Sequence, residues 1–554
     1  METAMILPGA RRNAMVAIGA WKDNIITDYL KAALDNHPDR PAVVSYQVAT
    51  DTRTVLTYRE LDQTATRMAV ALASLGIERG DVVACQLPNG WQITALHLAC
   101  VRIGAILNPL MPIFRERELR FMLAHSEARL LVIPKVFRGF DYEAMVDGLR
   151  PELTGLETVL VIGGDGERDF QRRLLNDAWE ETVDTDALFR ERQLGPDDVV
   201  QILYTSGTTG EPKGVMHTAN TLFANVGPYA DRLHLTADDS VLMASPLAHQ
   251  TGFLYGLMMP IYLGSTAILQ DIWDADYVCR VIAREKPAFT MAATPFLADL
   301  VKTAPKHEGE LDSLRLFVSA GAPIPSAVVE QAGRVLKTRV LSAWGMTENG
   351  AVTLTCPEDP PARASQSDGR VLPFMELRIA DFEGHALPAG EEGNLWVRGA
   401  SQFVGYLKRP DLYSTDADGW FATGDLARMD EDGYIRITGR TKDVVIRGGE
   451  NIPIVEVENL LYQYPGVADV ALVGCPDDRL GERVCAYVTL SAEAPDLTLA
   501  QVNRFLLDQK LSKSYLPEYL EVIEAMPRTA SGKIQKFKLR EQAKDLRLAP
   551  AKRG

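Results

Sequence analysis

A dense group of phosphate-binding residue types follows a run of β-forming residues in the middle of the chain. The run 199–204 reads V-V-Q-I-L-Y, and Thr205–Val215 then reads T-S-G-T-T-G-E-P-K-G-V. Glycines let backbone N–H groups approach an anion closely, and hydroxyl and ammonium groups add further donors. This density favours a polyphosphate-binding loop over a flexible surface turn. The residues assigned to it are Thr205, Ser206, Gly207, Thr208, Thr209, Gly210 and Lys213.

The spacing within this loop differs from that of the common P-loop, G-x-x-x-x-G-K-S/T. Lys213 stands three residues after Gly210, and Gly214 follows it in place of Ser or Thr. The pattern therefore argues against a Walker-type ATPase.

A second motif, Trp344-Gly345-Met346-Thr347-Glu348, combines a flat aromatic ring with a carboxylate. An indole can stack on a purine, and a glycine lets a base approach the backbone. The Glu348 carboxylate is a hard oxygen ligand, suited to a Mg²⁺ ion that also touches phosphate oxygens. The alternative is a buried tryptophan beside a surface glutamate. With the phosphate loop upstream, we favour a nucleotide site in which Glu348 binds the metal.

Another carboxylate, Asp425, follows Thr423-Gly424, and Arg440 comes later in the same region. A carboxylate can accept two hydrogen bonds from a ribose diol, and an arginine can bind a diol or a phosphate. The alternative is a structural Asp–Arg pair. From these residues alone, a ribose site and a structural pair both stay open.

Close to the C-terminus, one lysine lies among small residues in the stretch Pro527–Ile534, which reads P-R-T-A-S-G-K-I. The point charge of Lys533 could neutralise a carboxylate and an α-phosphate together as negative charge develops in a transition state. Upstream, Lys442 lies where the composition changes from one region to the next. A charged, exposed residue suits a hinge because rotation there loses no core packing.

These motifs together resemble those of the adenylate-forming superfamily, which contains acyl-CoA synthetases, adenylation domains and luciferases. The resemblance extends from about Asn24 to Arg547, with the main motifs in family order. It implies a reaction in two steps. A carboxylate attacks the α-phosphate of Mg-ATP, giving acyl-AMP and pyrophosphate, and the thiol of CoA then displaces AMP to give acyl-CoA. The cofactors that it implies are ATP, Mg²⁺ and coenzyme A.

The resemblance also implies roles for individual residues. The family usually has Tyr where Trp344 stands, and the substitution keeps the flat ring. Lys442 matches the family's hinge, and Gly448 and Gly449 match glycines beside the pantetheine arm of CoA. The positions matching catalytic residues are Lys533, Glu348, Thr208 and His249. The positions matching nucleotide-binding loops, besides the phosphate loop, are Gly321, Ala322, Pro323, Trp344, Gly345, Met346, Thr347, Asp425 and Arg440.

The acid pocket is expected around His249, which matches a gate and wall of the carboxylate site. The stretch 246–271 resembles that of synthetases for short- to medium-chain or alicyclic acids, such as medium-chain fatty acid or cyclohexanecarboxylate CoA ligases. Aryl-acid activators commonly carry Asn after the gate histidine, where this chain has Gln250, so aromatic acids come second. The residues expected to line the pocket are Gln250, Thr251, Phe253, Tyr255, Thr294, Ala320 and Ala343.

The elements that position these motifs alternate between strand and helix through the first two thirds of the chain. Thr57-x-x-Glu60 is a capping box that opens a helix, and apolar runs such as 158–162 and 289–293 predict buried strands. Such alternation predicts parallel sheets with ligands at the strands' carboxyl ends. The prediction is an α/β fold with a large N-terminal domain of helix-flanked β-sheets (1–440). Its β-rich subdomain covers about 371–440, and a small mobile α+β domain (441–554) follows, hinged at Lys442.

Composition limits the remaining classes. A net charge of −16 argues against a general nucleic-acid binder, and six scattered cysteines without C-x-x-C pairs suit packed thiols in a reducing compartment. With no signal peptide and no apolar run long enough for a membrane span, we expect a cytoplasmic protein. Its partners would be a small carboxylic acid, ATP and CoA, and both a monomer and a homodimer remain open.

Two other functions compete with an acyl-CoA ligase. One is a stand-alone adenylation enzyme that loads a carrier-protein thiol, although the sequence contains no attached carrier domain. The other is a non-catalytic nucleotide sensor, which predicts loss of Lys533 or Glu348, and both residues are present.

Overall fold

The structure is a computed structural model that describes residues 5–546, apart from 206–210, 322–323, 325, 382, 442–444, 448–449, 478, 492–493, 495 and 529–533. Within these residues, the helix predicted after Thr57 and the strands predicted at 158–162 and 289–293 are present.

The strands of the N-terminal part alternate with helices. In chain order they are β1 Pro41–Gln47, β2 Thr52–Thr57, β3 Val82–Cys85, β4 Ile106–Pro109, β5 Ala128–Pro134, β6 Val136–Phe137, β7 Phe140–Asp141, β8 Thr158–Ile162, β9 Val199–Thr205, β10 Lys213–Thr218, β11 Val241–Met243, β12 Ala267–Gln270, β13 Phe289–Ala292, β14 Leu316–Ala320, β15 Arg339–Met346, β16 Gly350–Leu354 and β17 Arg370–Val371.

The remaining strands are β18 Met375–Ala380, β19 Gly393–Gly399, β20 Phe421–Met429, β21 Ile435–Arg440, β22 Val445–Arg447, β23 Glu450–Ile452, β24 Val467–Asp477, β25 Gly481–Leu490 and β26 Tyr519–Val522.

The helices are α1 Gly9–Ala17, α2 Ile26–Asn36, α3 Tyr58–Ser74, α4 Trp91–Ile103, α5 Glu116–His125, α6 Tyr142–Leu149, α7 Thr185–Arg192, α8 Ala219–Arg232, α9 Gln250–Gly252, α10 Met259–Leu263, α11 Ala275–Glu285, α12 Thr294–Thr303, α13 Ser326–Val335, α14 Arg363–Gln366, α15 Ile454–Leu461, α16 Leu499–Asp508 and α17 Lys536–Asp545. A π-helical segment, Phe253–Met258, joins α9 to α10.

Two mainly parallel sheets form the N-terminal part. In the described chain, one has the strand order β17-β16-β15-β14-β13-β11-β12-β1-β2, and the other has the order β10-β9-β4-β3-β5-β8. Their inner strands pair in parallel, whereas β1–β2, β9–β10, β15–β16 and β16–β17 pair antiparallel. The largest hydrophobic core joins both sheets through α3 and α4, with Val43, Leu72, Leu98, Leu107 and Met291 among its buried members. This arrangement confirms the predicted α/β architecture.

Smaller sheets follow in the second part of the chain. Strands β18 to β21 form an antiparallel sheet in sequence order, and β22 to β26 form the sheet of an α+β unit with α15, α16 and α17. The predicted β-rich region and small C-terminal domain are therefore present, while the domain boundary at 440/441 and the hinge at Lys442 stay predictions.

Local signals in the sequence produce the helix starts. The Thr57 side chain accepts from the Glu60 N–H, and the Glu60 carboxylate accepts from the Thr57 N–H at 2.8 Å, which forms the predicted capping box at α3.

All six cysteines are buried and free. Among the described residues, no helix combines the length and the apolarity that a membrane crossing needs.

An N-terminal arm, residues 5–24, packs across a distant segment, Ala400–Leu407. The Ile6 N–H donates to the Val404 carbonyl at 2.7 Å, and the Trp21 indole N–H donates to the Ala400 carbonyl at 3.0 Å. Arg11 donates to the Phe403 carbonyl at 3.1 Å, and burial lowers the pKa of its guanidinium. The arm therefore fixes a segment that reaches the candidate site.

Candidate active site

The predicted phosphate loop connects the two strands of a hairpin. Strand β9 ends at Thr205 and β10 begins at Lys213, and these two residues pair in antiparallel register. The loop therefore has both ends fixed in a sheet. Five of its predicted residues, Ser206, Gly207, Thr208, Thr209 and Gly210, lie outside the described residues. The sequence pattern did not predict strand β10, because the β-forming run before the loop ends at Tyr204.

Lys213 lies against an aromatic ring that the sequence analysis did not identify. Its Nζ atom is 4.5 Å from the centre of the Tyr406 ring and 3.5 Å from the Tyr406 hydroxyl. A cation over the face of an aromatic ring is attracted by the ring's quadrupole. The loop lysine is therefore oriented by a residue 193 positions away.

Glu348 lies in the turn between β15 and β16, and its side chain is buried. Its Oε1 atom accepts a hydrogen bond from the Tyr406 hydroxyl at 2.6 Å, and its backbone carbonyl accepts from the Phe403 N–H at 2.8 Å. Burial and the nearby carboxylate raise the pKa of the Tyr406 phenol, so the phenol stays a neutral donor.

The carboxylate oxygen that Glu348 leaves available fits a magnesium ion. The second carboxylate oxygen of Glu348, Oε2, accepts no hydrogen bond from any residue that the structure describes. A carboxylate with one oxygen held by a phenol and the other available is a suitable single protein ligand for Mg²⁺, which usually keeps waters and phosphate oxygens around it.

The buried imidazole of His217 supports the same motif from strand β10. Its Nε2 atom is 2.8 Å from the Thr347 carbonyl and its Nδ1 atom is 3.0 Å from the Thr221 hydroxyl. A carbonyl only accepts, so Nε2 carries the proton. Burial lowers the pKa of His217 to about 4, which keeps the ring neutral near pH 7. His217 therefore links the strand of Lys213 to the residue before Glu348.

Trp344, Asp425 and Arg440 form a hydrogen-bonded chain. The Trp344 indole N–H donates to Asp425 Oδ2 at 3.0 Å, and Arg440 Nε donates to Asp425 Oδ1 at 2.9 Å. The register of β20 and β21 places Asp425 directly opposite Arg440. Only 9% of Trp344 is exposed, and its ring packs in the same apolar cluster as Tyr406. The ring thus holds Asp425, and its stacking on a purine stays a prediction.

A cavity of about 70 Å³ lies between the His249 stretch and the β15–β16 hairpin. His249 caps α9, and its Nδ1 atom accepts from the Thr251 N–H at 3.2 Å. The lining residues are Ser245, His249, Gln250, Thr251, Leu254, Tyr255, Met291, Ala292, Ala293, Ala320, Gly321, Gly345, Met346, Thr347, Gly350 and Ala351. Residues from the predicted acid pocket and from the predicted nucleotide motifs thus share one cavity.

A buried polar network closes one side of this cavity. The Tyr255 hydroxyl donates to Asn225 Oδ1 at 2.6 Å and accepts from the Ala351 N–H at 3.1 Å. The Asn225 amide donates to the Ala351 carbonyl at 2.6 Å, and the Tyr229 ring stacks on Tyr255 with centroids 4.1 Å apart. Every polar atom of this group has a partner, so this wall is rigid.

The side chain of Gln250 differs from this wall in its hydrogen bonding. This side chain is 3% exposed, and its amide oxygen and nitrogen have no hydrogen-bond partner among the described residues. An unpaired buried amide costs free energy. Its position on the cavity wall leaves both atoms available to a bound molecule or to water.

Three residues predicted for the acid pocket do not line this cavity in the described part of the chain. Phe253 is fully buried and packs edge to face on His97, with centroids 4.9 Å apart. Thr294 begins α12, and its hydroxyl lies 3.0 Å from the Ser319 hydroxyl. Ala343 is buried within β15.

Several other predicted residues lie outside the described part of the chain. They are Ala322, Pro323, Lys442, Gly448, Gly449 and Lys533. The residues that flank the Lys533 stretch meet, because Arg528 and Ile534 form an antiparallel bridge and the Gln535 N–H donates to the Pro527 carbonyl at 2.7 Å.

The sequence analysis missed Tyr406, His217 and Asn225. Each acts through a partner more than a hundred residues away, as the separations of 193, 130 and 126 positions show. No local spacing signal marks them. The only indication would have been that each polar side chain lies in a mainly apolar stretch.

Two family models match the chain. The AMP-binding enzyme family matches residues 30–407, and the AMP-binding enzyme C-terminal domain matches residues 456–533. A medium-chain fatty-acid–CoA ligase of Escherichia coli (strain K12) is 36% identical over 543 residues, 98% of this chain and 94% of the relative. A methyl-dioxo-octahydroindenyl-propanoyl:CoA ligase of Rhodococcus jostii (strain RHA1) is 32% identical over 88% of this chain and 94% of its own.

A solved structure extends the likeness to the fold. The anthranilate CoA ligase AuaEII, in complex with anthranoyl-AMP, superposes with a TM-score of 0.83 at 26% identity, covering 95% of this chain and 98% of that one. The matches span both domains and agree with the order of the motifs. The chain belongs to the AMP-binding enzymes, as an AMP-forming acyl-CoA ligase of the adenylate-forming superfamily.

Proposed function

We propose that this ligase activates a short- to medium-chain or alicyclic carboxylic acid. In the first step, a carboxylate oxygen attacks the α-phosphorus of Mg-ATP, the bond to the β-phosphate breaks, and pyrophosphate leaves. In the second step, the sulfur of CoA attacks the acyl carbon and AMP leaves with the C–O bond electrons, while the thiol proton is released. The protein forms no covalent bond to either reactant.

The observation that carries this proposal is that the acid cavity and the proposed nucleotide site meet at the motif 344–348. Gly345, Met346 and Thr347 line the cavity. Glu348 and, through Trp344, Asp425 are held by buried hydrogen bonds. An acid in the cavity would therefore lie next to a nucleotide bound by Asp425. Holding two reactants in contact converts a bimolecular step into an effectively unimolecular one.

Within this arrangement, the phosphate loop and Lys213 would hold the β- and γ-phosphates, and Glu348 would bind the Mg²⁺ that accompanies ATP. Each Asp425 oxygen retains a lone pair for a ribose hydroxyl beside its present partner. Lys533 would neutralise the α-phosphate and the attacking carboxylate during adenylation. Rotation about Lys442 would then exchange Lys533 for the Gly448-Gly449 face and admit CoA.

The lining of the cavity supports an uncharged acyl group. No Asp, Glu, Lys or Arg contributes to it in the described part of the chain. Leu254, Met291 and Ala292 supply apolar surface, so a second charge on the acid would lack a counter-ion. The medium-chain acid in the name of the E. coli relative supports the assignment. Aryl acids are the second candidate, favoured by the likeness to the anthranilate ligase.

The remaining assignments complete the proposal. We expect the enzyme to act in the cytoplasm on free CoA, as a monomer or homodimer, without a nucleic-acid partner and without a membrane span. A stand-alone enzyme that loads a carrier-protein thiol is the alternative for the second step.

The test is acid-dependent pyrophosphate release with straight-chain acids of four to twelve carbons, alicyclic acids and aromatic acids, followed by detection of acyl-CoA with free CoA. We expect the highest kcat/KM with a medium-chain or alicyclic acid, and acyl-CoA as the product. Turnover of aromatic acids alone would contradict the proposed substrate class. Acyl-AMP that reacts with a carrier thiol and not with CoA would contradict the proposed acceptor.

A further inference from the structure

We infer that Tyr406 is a positioning residue for Mg-ATP, which holds the metal-binding carboxylate of Glu348 and the phosphate-loop ammonium of Lys213 in one arrangement. The inference rests on the proposed function, because it assigns Mg-ATP to these two groups. It adds a residue that belongs to none of the motifs recognised in the sequence.

The first contact orients the carboxylate. The Tyr406 hydroxyl is 2.6 Å from Glu348 Oε1, and both side chains are buried. A hydrogen bond to an ionised group is shorter and stronger than one between neutral groups. Because one oxygen is held by the phenol, the carboxylate plane is fixed and Oε2 is directed to a defined place.

The second contact orients the lysine. Lys213 Nζ lies 4.5 Å from the centre of the same ring, and 3.5 Å from its hydroxyl. The opposite charges of Lys213 and Glu348 thus meet at one neutral side chain. A phenol between them keeps the ammonium and the carboxylate in place for the phosphates and the metal.

The backbone of Tyr406 is itself held firmly. Segment 400–407 pairs with β10, because the Met216 N–H donates to the Gly405 carbonyl at 3.0 Å and the Leu407 N–H donates to the Gly214 carbonyl at 2.8 Å. Val215 and Tyr406 form an antiparallel bridge. On its other side, the N-terminal arm donates to the carbonyls of this segment. A side chain on a doubly supported backbone can pre-organise its neighbours before the nucleotide binds.

The ring also packs independently of its hydroxyl. It meets Phe403 at 64° with centroids 4.7 Å apart. Tyr406→Phe would keep this packing and remove only the phenol oxygen. Tyr413 offers a matched control, because its hydroxyl accepts from the Gln402 amide at 3.1 Å within the same region and contacts neither Glu348 nor Lys213 in the described structure.

The experiment measures Mg-ATP binding by calorimetry for the full-length wild type, Tyr406→Phe and Tyr413→Phe, with Mg²⁺ varied at fixed ATP. We expect Tyr406→Phe to raise the Kd of Mg-ATP about tenfold, the range for losing a hydrogen bond to a charged group. The Mg²⁺ concentration at which ATP binding is half-saturated should also be higher in Tyr406→Phe than in the wild type. Tyr413→Phe should bind like the wild type, and thermal unfolding of both variants checks that they fold.

A double-mutant cycle tests whether the hydroxyl acts through the carboxylate. In a Glu348→Gln background, the penalty of Tyr406→Phe should fall to about twofold or less, because coupled residues are not additive. An unchanged Kd in Tyr406→Phe, or the same penalty in both backgrounds, would overturn the inference. The binding readout needs no acid. Failure of every acid to release pyrophosphate from wild-type enzyme that binds Mg-ATP would count against the proposed function instead.

Discussion

The proposed nucleotide side and the proposed acid side of the site differ in how their polar groups are held. On the nucleotide side, Glu348 and Asp425 are buried carboxylates whose partners Tyr406, Trp344 and Arg440 are already in place. On the acid side, the cavity is mainly apolar and includes the amide of Gln250, which has no hydrogen-bond partner among the described residues. Charge-assisted hydrogen bonds hold the nucleotide side, whereas the acid side combines a wall of neutral hydrogen bonds with the Gln250 amide.

This difference indicates where recognition of each substrate resides. ATP is the same molecule in every turnover, so its binding groups can be fixed by their neighbours at no cost in adaptability. Acid choice depends on shape and on a few polar groups in an apolar cavity. Changes on the nucleotide side should therefore alter the KM for ATP, and changes on the acid side should alter the choice of acid.

The largest expected effect comes from Lys533, which is proposed to act where both sides meet. Lys533→Ala should lower the rate of adenylation about a hundredfold or more, because one positive charge is lost at the developing negative charge. Thioesterification of supplied acyl-AMP should suffer less. Single-turnover pyrophosphate release measures the first step. Lys544→Ala, which removes an exposed lysine paired with Glu541 at 2.7 Å, is the control. An unchanged rate in Lys533→Ala would show that the assignment is wrong.

A smaller effect is expected on the nucleotide side alone. Asp425→Ala should raise the KM for ATP about thirtyfold, equal to ~2 kcal/mol, because it removes a charged acceptor for the ribose. The KM for the acid should stay unchanged.

Asp416→Ala serves as the control for Asp425→Ala. Asp416 also pairs with an arginine, Arg378 at 2.9 Å, and accepts from the Trp420 N–H, so its loss disturbs the same sheet without touching the site. If both variants raise the KM for ATP equally, Asp425 is structural rather than a ribose ligand.

Low pH should lower the stability of the folded protein through His217, which lies on the nucleotide side. Its pKa of about 4 in the folded protein lies below the unfolded value near 6.5, so the unfolded chain binds more protons between these values. The stabilisation is fully present above pH 6.5 and is lost as pH falls toward 4. The loss relative to neutral pH amounts to about 2 kcal/mol at pH 5. Denaturant unfolding from pH 7 to 5 should show a shallower loss of stability in His217→Gln than in the wild type.

His97→Gln is the control that separates the effect of pH on stability from the effect of His217 on nucleotide binding. His97 is fully buried on α4, and burial lowers its pKa to about 3. His97→Gln should flatten the pH profile in the same way. Only His217→Gln should raise the KM for Mg-ATP, because only His217 holds the Thr347 carbonyl. A raised KM in both variants would mean that the effect reflects general loosening of the domain.

The smallest expected effect is on the acid side. Gln250→Leu removes an unpaired buried amide at similar volume, so it should raise the free energy of unfolding by about 1 kcal/mol. It should favour fully apolar acids over hydroxylated or keto acids and leave the KM for ATP unchanged. Unfolding in denaturant and the acid panel measure both results. Asn225→Leu is the matched contrast, because every polar atom of that amide is bonded and the change should destabilise. Loss of stability in Gln250→Leu would contradict the prediction.

The sequence predicted what depends on local chemistry. Glycines, hydroxyls and a lysine beside a β-run predicted the phosphate loop between β9 and β10, and Thr57 with Glu60 predicted the start of α3. These signals lie within a few residues of one another. The α/β class followed from strand and helix periodicity, which is also local.

The long-range contacts could not be predicted in this way. Tyr406 meets Glu348 because segment 400–407 pairs with β10, and His217 meets Thr347 because β10 lies beside the β15–β16 hairpin. Such contacts are fixed by strand pairing and by the packing of one sheet against the other, which one sequence does not disclose. Trp344 was predicted as a purine platform, whereas its N–H also bonds Asp425, a contact across 81 positions.

The N-terminal arm has a consequence for the order in which the site is completed during synthesis. Arg11 and the Phe403 carbonyl that it contacts are 392 residues apart. A ribosome that adds about 5–20 residues per second needs tens of seconds to cover that distance. The emerging chain therefore carries the arm without its partner until the segment of Tyr406 leaves the exit tunnel. The surroundings of Glu348 are thus among the last parts of the large domain to assemble, and nucleotide binding reports that the whole domain has folded.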